Sequence, residues 1–415
     1  MKKKILMLTI LWITKVEAQT STFYTIDSLF EKGRYKLALL QLDKLPSTFK
    51  SNFKKATIYE SIDNFKKTAK FLEKAIFFKN DYKAKLKLAK AYQRLKKTHK
   101  SIGIYEDITK KDSLNLVLKY QLGKLYLVSR KSKKAIQTFK YLIKKDNTNA
   151  HYSYQLGLSY ALKNDRDRMI NSFLDTYKKD STHLKVIAHL ASSFNKLKDR
   201  DSTQIFVEKG LEIDFNHINL NKLKINHLCR DKKYDEALPF LLKLDTIAKN
   251  DTYPTFMLGR SYYNLDSLQK AKKYFKKLYS KDRENYKAWT YQGHIAVKEK
   301  DYKTAQLCYR MASFIGKEKR DEEYYGLATA YYEMKKSKEA ILNFQKAYVE
   351  NRRNYKALFQ LAKISDDFYK DKKIGYKHYI NYLDNFQEKD LIMTNYAKKR
   401  VSEIKKLTFM KGEKM

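Results

Sequence analysis

Small side chains recur in this chain at a spacing of 34 residues, and that period restricts the fold more than any other feature. The stretch from Thr252 to Asn285 shows one unit. Leu258, Gly259 and Tyr262 share one face of an expected helix, and Ala271 and Phe275 share one face of a second. The polar turn Asn264-Leu265-Asp266-Ser267 lies between them. A glycine inside a helix costs about 1 kcal/mol relative to alanine, so Gly259 points to a close approach. Ala271 is the small residue expected opposite it, allowing two antiparallel helices to come nearly into backbone contact. In steps of 34 residues, the Gly259 position is occupied by Gly123, Gly157, Ala191, Ile225 and Gly293. The second small position recurs at Ala135, Ala237, Ala271 and Ala305, with Met169 and Thr203 between. An aromatic follows the first position by three residues (Tyr126, Tyr160, Phe194, Tyr262), and another follows the second by four (Phe139, Phe173, Phe275, Tyr309). A fixed period of this size is the mark of stacked helical units.

The pattern resembles the tetratricopeptide repeat family. That family places Leu-Gly and then Tyr on its first helix, and Ala, an aromatic and Ala on its second. Leu258-Gly259, Tyr262, Ala271 and Phe275 match, as do Leu122-Gly123, Tyr126, Ala135 and Phe139. Leu156-Gly157 with Tyr160, and Leu327-Ala328, Tyr331, Ala340, Phe344 and Ala347, match as well. The family's proline at the end of the second helix is absent. Asp112, Asp146, Asp180, Asp214 and Asp282 stand near its place, where a carboxylate is expected to end one helix and cap the next. The resemblance implies an all-α fold, a right-handed superhelical α-solenoid of about eleven helix-turn-helix repeats. Three prolines and eleven glycines leave little room for linkers, and no alternating strand pattern appears.

Residues 1–18 read as a secretion signal. Lys2, Lys3 and Lys4 precede the apolar run Ile5 to Ile13, and Val16-Glu17-Ala18 sets a cut after Ala18. The expected location is therefore periplasmic or secreted, with no transmembrane segment in the mature chain. Residues 19–389 read as the repeat array. Residues 390–408 read as a capping helix, with Leu391, Tyr396, Val401 and Ile404 covering the end of the stack. Residues 409–415 read as a disordered tail.

The formal net charge is +42, from 88 Lys and Arg against 46 Asp and Glu. Such a field attracts polyanions, yet the cations are overwhelmingly lysines, which solvated helix faces carry without any partner. Cys229 and Cys308 lie 79 residues apart, beyond the reach of a disulfide if each repeat touches only its neighbours. The eight histidines show no metal-ligand spacing, and no phosphate loop, dinucleotide fingerprint or nucleophile elbow is present. The sequence therefore gives no catalytic constellation, and no cofactor is expected.

In the family the first helix of each repeat lines the inner surface. With Gly259 as the eighth position, the second, fifth, ninth and twelfth positions face the groove. These give Tyr120 and Lys124 in repeat four and Tyr154 in repeat five. Repeat seven gives Lys222 and Asn226, with Arg230 adjacent, and repeat eight gives Tyr253, Phe256, Arg260 and Tyr263. Lys287 and His294 come from repeat nine, and Tyr325 and Tyr332 from repeat ten. Such a wall of aromatic and cationic groups suits a peptide with apolar anchors and carboxylates. Lys222, Asn226 and Lys287 match three positions of the family's carboxylate-binding site, while Met257 and Tyr291 occupy two others. The expected function is a non-catalytic scaffold binding protein or peptide segments, acidic ones included, in this groove. The alternative is binding of RNA, acidic polysaccharide or anionic lipid by the basic surface, with nucleic acid disfavoured if the protein is exported.

Overall fold

A computed structural model describes residues 22–316 and 320–410 of the chain. The expected signal segment and residues 411–415 lie outside the described residues. Among those described, the structure is all helix, with no strand. Eleven hairpins follow one another. They are α1 (residues 22–31) with α2 (Tyr35–Asp43), α3 (Phe49–Ser61) with α4 (Phe65–Phe78), α5 (Tyr82–Arg94) with α6 (Thr98–Lys111), and α7 (Leu116–Val128) with α8 (Ser132–Lys145). Next come α9 (Ala150–Lys163) with α10 (Arg166–Lys179), α11 (Leu184–Lys196) with α12 (Arg200–Ile213), α13 (Ile218–Arg230) with α14 (Tyr234–Ile247), and α15 (Thr252–Asn264) with α16 (Leu268–Lys281). The last are α17 (Tyr286–Lys298) with α18 (Tyr302–Ile315), α19 (Asp321–Glu333) with α20 (Ser337–Glu350), and α21 (Tyr355–Phe368) with α22 (Lys372–Phe386). A single helix, α23 (Leu391–Met410), follows. This is the all-α solenoid of helix-turn-helix repeats read from the period. It divides within α12 into two units, residues 1–206 and 207–415, each described here by itself.

In both units the hairpin is held by a notch and a ring. A Cβ on Gly259 would stand 2.7 to 2.9 Å from the Phe275 ring. Gly123 meets Phe139 in the same way, Gly157 meets Phe173, and Gly293 meets Tyr309. The glycine therefore makes room for the aromatic four residues beyond the small residue of the second helix. This corrects the expectation that Gly259 is there for Ala271. Ala271 is fully buried, but the tight contact belongs to Phe275. Ile225 stands at the glycine position in α13, and the facing position in α14 is Leu241 rather than an aromatic; both are fully buried in one cluster. There two aliphatic side chains take the place of the notch and the ring.

The turn inside each hairpin also repeats. After α15, Asp266 adopts φ +55°, Ser267 N–H donates to Tyr262 O at 2.9 Å, and Asp266 N–H donates to Tyr263 O at 3.2 Å. This is a Schellman closure. The same left-handed position recurs at Lys96, Arg130, Asn164, Lys198, Lys232 and Lys300, in steps of 34. It is then displaced by one residue to Lys335. Lysine holds five of these positions, although glycine meets no Cβ penalty there.

The links between hairpins divide the work expected of one aspartate. Asp146 and Asp180 end α8 and α10, and each carboxylate accepts from the N–H two residues on, Thr148 and Thr182, both at 3.0 Å. They do not cap the following helix. That task falls to Asn149, which accepts from His151 N–H at 3.0 Å, and to His183, which accepts from Val186 N–H at 3.4 Å. Asn115 and Asn285 cap α7 and α17 in the same way.

At α23, Ala397, Val401 and Ile404 are buried, but Leu391 and Tyr396 remain exposed, contrary to the sequence reading. Phe409 and Met410 belong to this helix and not to a tail. Asp366, on α21 and 1% exposed, fixes it. Arg400 Nε donates to Asp366 Oδ2 at 2.5 Å and Arg400 Nη2 to Oδ1 at 3.3 Å. Gly375 lets α22 lie directly on Asp366, since a Cβ there would meet Asp366 Cβ at 2.6 Å.

Gly259→Ala is expected to lower stability by about 1–3 kcal/mol, because overpacking outweighs the gain in helix propensity. Phe275→Leu in that background restores part of the loss, as urea denaturation would measure. Lys300→Gly is expected to raise stability by up to about 1 kcal/mol, as relief of a left-handed residue exceeds the added unfolded-state entropy.

Candidate functional site

The predicted groove residues fall in both units. In the first unit, Tyr120 packs edge-on against Phe139 at 6.1 Å between ring centroids, with Lys124 Nζ 5.6 Å from the centre of the Tyr120 ring. Tyr154 lies 4.9 Å from His183 and 6.0 Å from Phe173. These rings rest on their own hairpins, and burial pushes both phenols up from their ordinary pKa.

The second unit brings the remaining residues together on α13, α15, α17 and α19. Lys222 is ion-paired with Asp251 at 2.5 Å and lies 5.1 Å from the Tyr253 ring centre. Tyr253 O–H donates to Asn226 at 2.8 Å. Two of the three residues matching the family's carboxylate site are thus engaged within the protein. Arg230 ends α13 exposed to solvent. Beyond them runs a connected set of rings. Phe256 meets Tyr291 edge-on at 5.8 Å, Tyr291 stacks on Phe275 at 5.2 Å, and Tyr263 meets Tyr291 edge-on at 5.4 Å. His294 lies 6.1 Å from Tyr263 and 5.7 Å from Tyr291. Tyr325 packs against Phe344 at 5.3 Å, and Tyr332 is partly exposed.

His294 also connects two helices. Its Nδ1 is 2.7 Å from Tyr309 Oη and its Nε2 is 3.0 Å from Glu322 Oε1. Burial pushes the Tyr309 phenol up, so it keeps its proton. The two nitrogens of His294 thus bridge Tyr309 of α18 and Glu322 of α19, with a hydrogen bond to the carboxylate at Nε2. This hydrogen bond, opposed by partial desolvation and aided by the charges of Lys287 and Arg260, holds the Glu322 carboxyl below the usual glutamate range.

A pocket of about 260 Å³ opens here between α15, α17 and α19. Phe256, Tyr286 and Tyr291 form its apolar wall. Arg260, Lys287, Asp321, Glu322 and Glu323 bring charge to it. The charges are unequally satisfied. Asp321 accepts from Asn351 at 2.9 Å and Asn354 at 3.1 Å, Glu322 from His294, and Glu323 from Thr290 Oγ1 at 2.7 Å. Arg260 Nε is buried with no hydrogen-bond partner among the described residues. Neither Arg260 nor Lys287 forms an ion pair with a described residue. Sequence reading found both cations but missed the acids. The signal was present as three consecutive acids, Asp321-Glu322-Glu323, in a strongly basic chain. They occupy the first turn of α19, where the helix dipole favours negative charge.

The tetratricopeptide repeat family model matches residues 83–113, the α5–α6 hairpin, and residues 256–285, from α15 through α16. The chain contains tetratricopeptide repeats at these two hairpins. These repeats support a protein-interaction scaffold. Among solved structures, yeast Tom70 is 15% identical, with 92% of this chain and 95% of that chain covered, at a TM-score of 0.42. The APC/C hetero-tetramer Cut9-Hcn1 is 12% identical over 90% and 82%, at 0.47. The C-terminal part of a tetratricopeptide repeat protein from Cytophaga hutchinsonii is 15% identical over 58% and 98%, at 0.46. No curated protein matches the chain. Among the described residues, no helix is long and apolar enough to cross a membrane.

A carboxyl titration followed by NMR is expected to place Glu322 below ordinary glutamates, and His294→Ala to move it back up. Because the folded-state pKa is depressed, the contribution of this contact to stability is present at neutral pH. It is lost as pH falls through that depressed value.

Proposed function

We propose that the face formed by α15, α17 and α19 binds an extended peptide segment of a partner protein, and that one carboxylate of that segment enters the pocket beside Arg260 and Lys287. The observation that carries this reading is the unequal satisfaction of charge. Every acid lining the pocket has a donor from the protein, while neither cation has an anion among the described residues. A buried guanidinium nitrogen without an acceptor is costly, and a ligand carboxylate supplies the missing acceptor in the forked geometry that arginine favours. The neighbouring rings of Phe256 and Tyr291 offer contact area for an apolar side chain next to that carboxylate. No step of this process requires bond chemistry, so the role is that of a scaffold without catalysis. The Lys2 to Ala18 pattern supports an exported protein, and mass spectrometry of the mature N-terminus from fractionated cells tests it.

Screening the full chain against an array of synthetic peptides is expected to select sequences with an acidic residue or a C-terminal carboxylate next to an aromatic or aliphatic one. Arg260→Gln should weaken the selected peptides by roughly ten- to a hundredfold, the range for one charge-assisted hydrogen bond. Lys222→Gln, which touches a cation already paired with Asp251, should change affinity little. Selection of peptides without carboxylates, or equal binding by Arg260→Gln, would reject the assignment.

A further inference from the structure

The period of the array supplies an internal comparison for every surface position, and on its outer side α18 carries an apolar stripe that α8, α10 and α16 lack, while α20 repeats two of its three positions with Leu342 and Val349. Leu307, Met311 and Phe314 fall at i, i+4 and i+7, one stripe about two turns long. Leu307 is 58% and Phe314 86% exposed. On α16, 34 residues earlier, the same positions hold Lys273, Lys277 and Ser280, on α10 Asn171, Asp175 and Lys178, and on α8 Gln137, Tyr141 and Lys144. A hairpin of this kind therefore folds without an apolar stripe there. The inward stripe of α18, Ala305, Cys308, Tyr309 and Ala312, supplies its packing. Packing does not account for the outward residues.

A cavity of about 550 Å³ opens beside the stripe, bordered by Arg310, Arg320 and Tyr324. Charge then specifies what covers the stripe. Arg310 is exposed and forms no side-chain hydrogen bond or ion pair among the described residues. Tyr324 lies between Arg320, 5.6 Å from its ring centre, and Lys346 of α20, 5.7 Å away. Glu350, 3.7 Å from Arg320, is the only acid paired with these three cations among the described residues. A second copy of a chain carrying +42 would bring like charge to a positive patch.

We propose that the outer face of α18, with Tyr324 beside it, docks an acidic amphipathic helix of a partner protein. The apolar side of that helix lies along Leu307, Met311 and Phe314, and its carboxylates meet Arg310 and Arg320. A helix fits because the stripe has helical spacing, which side chains of a partner helix can interleave. This surface is separate from the pocket of α15, α17 and α19, and either assignment stands without the other.

The probe is a synthetic amphipathic helix with leucine along one face and glutamate elsewhere, labelled for fluorescence anisotropy with the full chain. The variant Leu307→Lys/Met311→Lys/Phe314→Ser carries the residues that α16 has at these positions and should fold as the parent does, which circular dichroism checks. It should bind the probe about tenfold more weakly or worse, although it gains two positive charges. Arg310→Glu should weaken the same probe and strengthen one with lysine in place of glutamate, whereas Phe256→Ala/Arg260→Gln should leave both unchanged. Three results would overturn the proposal: a wild-type chain that ignores the probe, equal or tighter binding by the triple variant, or self-association in sedimentation that the triple variant abolishes. Anionic vesicles binding through Phe314 while the peptide does not would likewise reject it in favour of a membrane.

Discussion

The fold depends on an aromatic ring entering a gap left by a missing Cβ. Helix propensity argues against glycine in the middle of α7, α9, α15 and α17, and each of these helices keeps one. The compensation is the burial of Phe139, Phe173, Phe275 and Tyr309 at 2% exposure or less. A large ring removed from water contributes more than the penalty for one glycine. Where the gap is filled by Ile225, the ring is replaced by Leu241, so a bulky residue on the first helix goes with the loss of the ring on the second. That constraint brings the two helices of a hairpin together in a fixed orientation, and so determines which residues of the first helix remain accessible.

Accessibility and vacancy are different properties, and the second unit separates them. Lys222 and Asn226 are reachable by solvent, but Asp251 and Tyr253 already use them. Arg260 has a buried Nε with no acceptor among the described residues. Binding capacity thus follows the bookkeeping of donors and acceptors more closely than it follows position in the repeat. The same distinction applies on the outer side of α18, where the residues are accessible and no packing demand explains their character.

Much of this was legible in the sequence, because periodicity is a global signal that single substitutions do not erase. The 34-residue step gave the hairpins and most of the buried residues. The partner of Gly259 was misread because sequence spacing places Ala271 and Phe275 on one face without saying which reaches the glycine; side-chain length decides that. The aspartate links were half legible. Asp146 and Asp180 do end their helices, but the two-residue reach of a short carboxylate turns back on the loop and leaves the next cap to Asn149 and His183. The acids of α19 escaped notice although Glu322 holds the second position of its repeat, the place of Tyr253 and Lys287 in theirs, because the groove reading kept only the aromatic residues of that repeat. The exposure of Leu391 was missed because an apolar residue near a helix end satisfies the same pattern as a covering residue.

Asp366 gives α23 a property that the other helices lack. The carboxylate is enclosed by α21 and α22 and meets the Arg400 guanidinium of α23. Detaching that helix would remove both hydrogen bonds of the Arg400 fork and leave the buried carboxylate with Lys372 of α22, 3.7 Å away, a destabilising loss. Departure of α23 by gradual fraying is thereby suppressed, and it should leave as one cooperative piece. Like a latch, this one contact converts a soft edge of the array into a threshold.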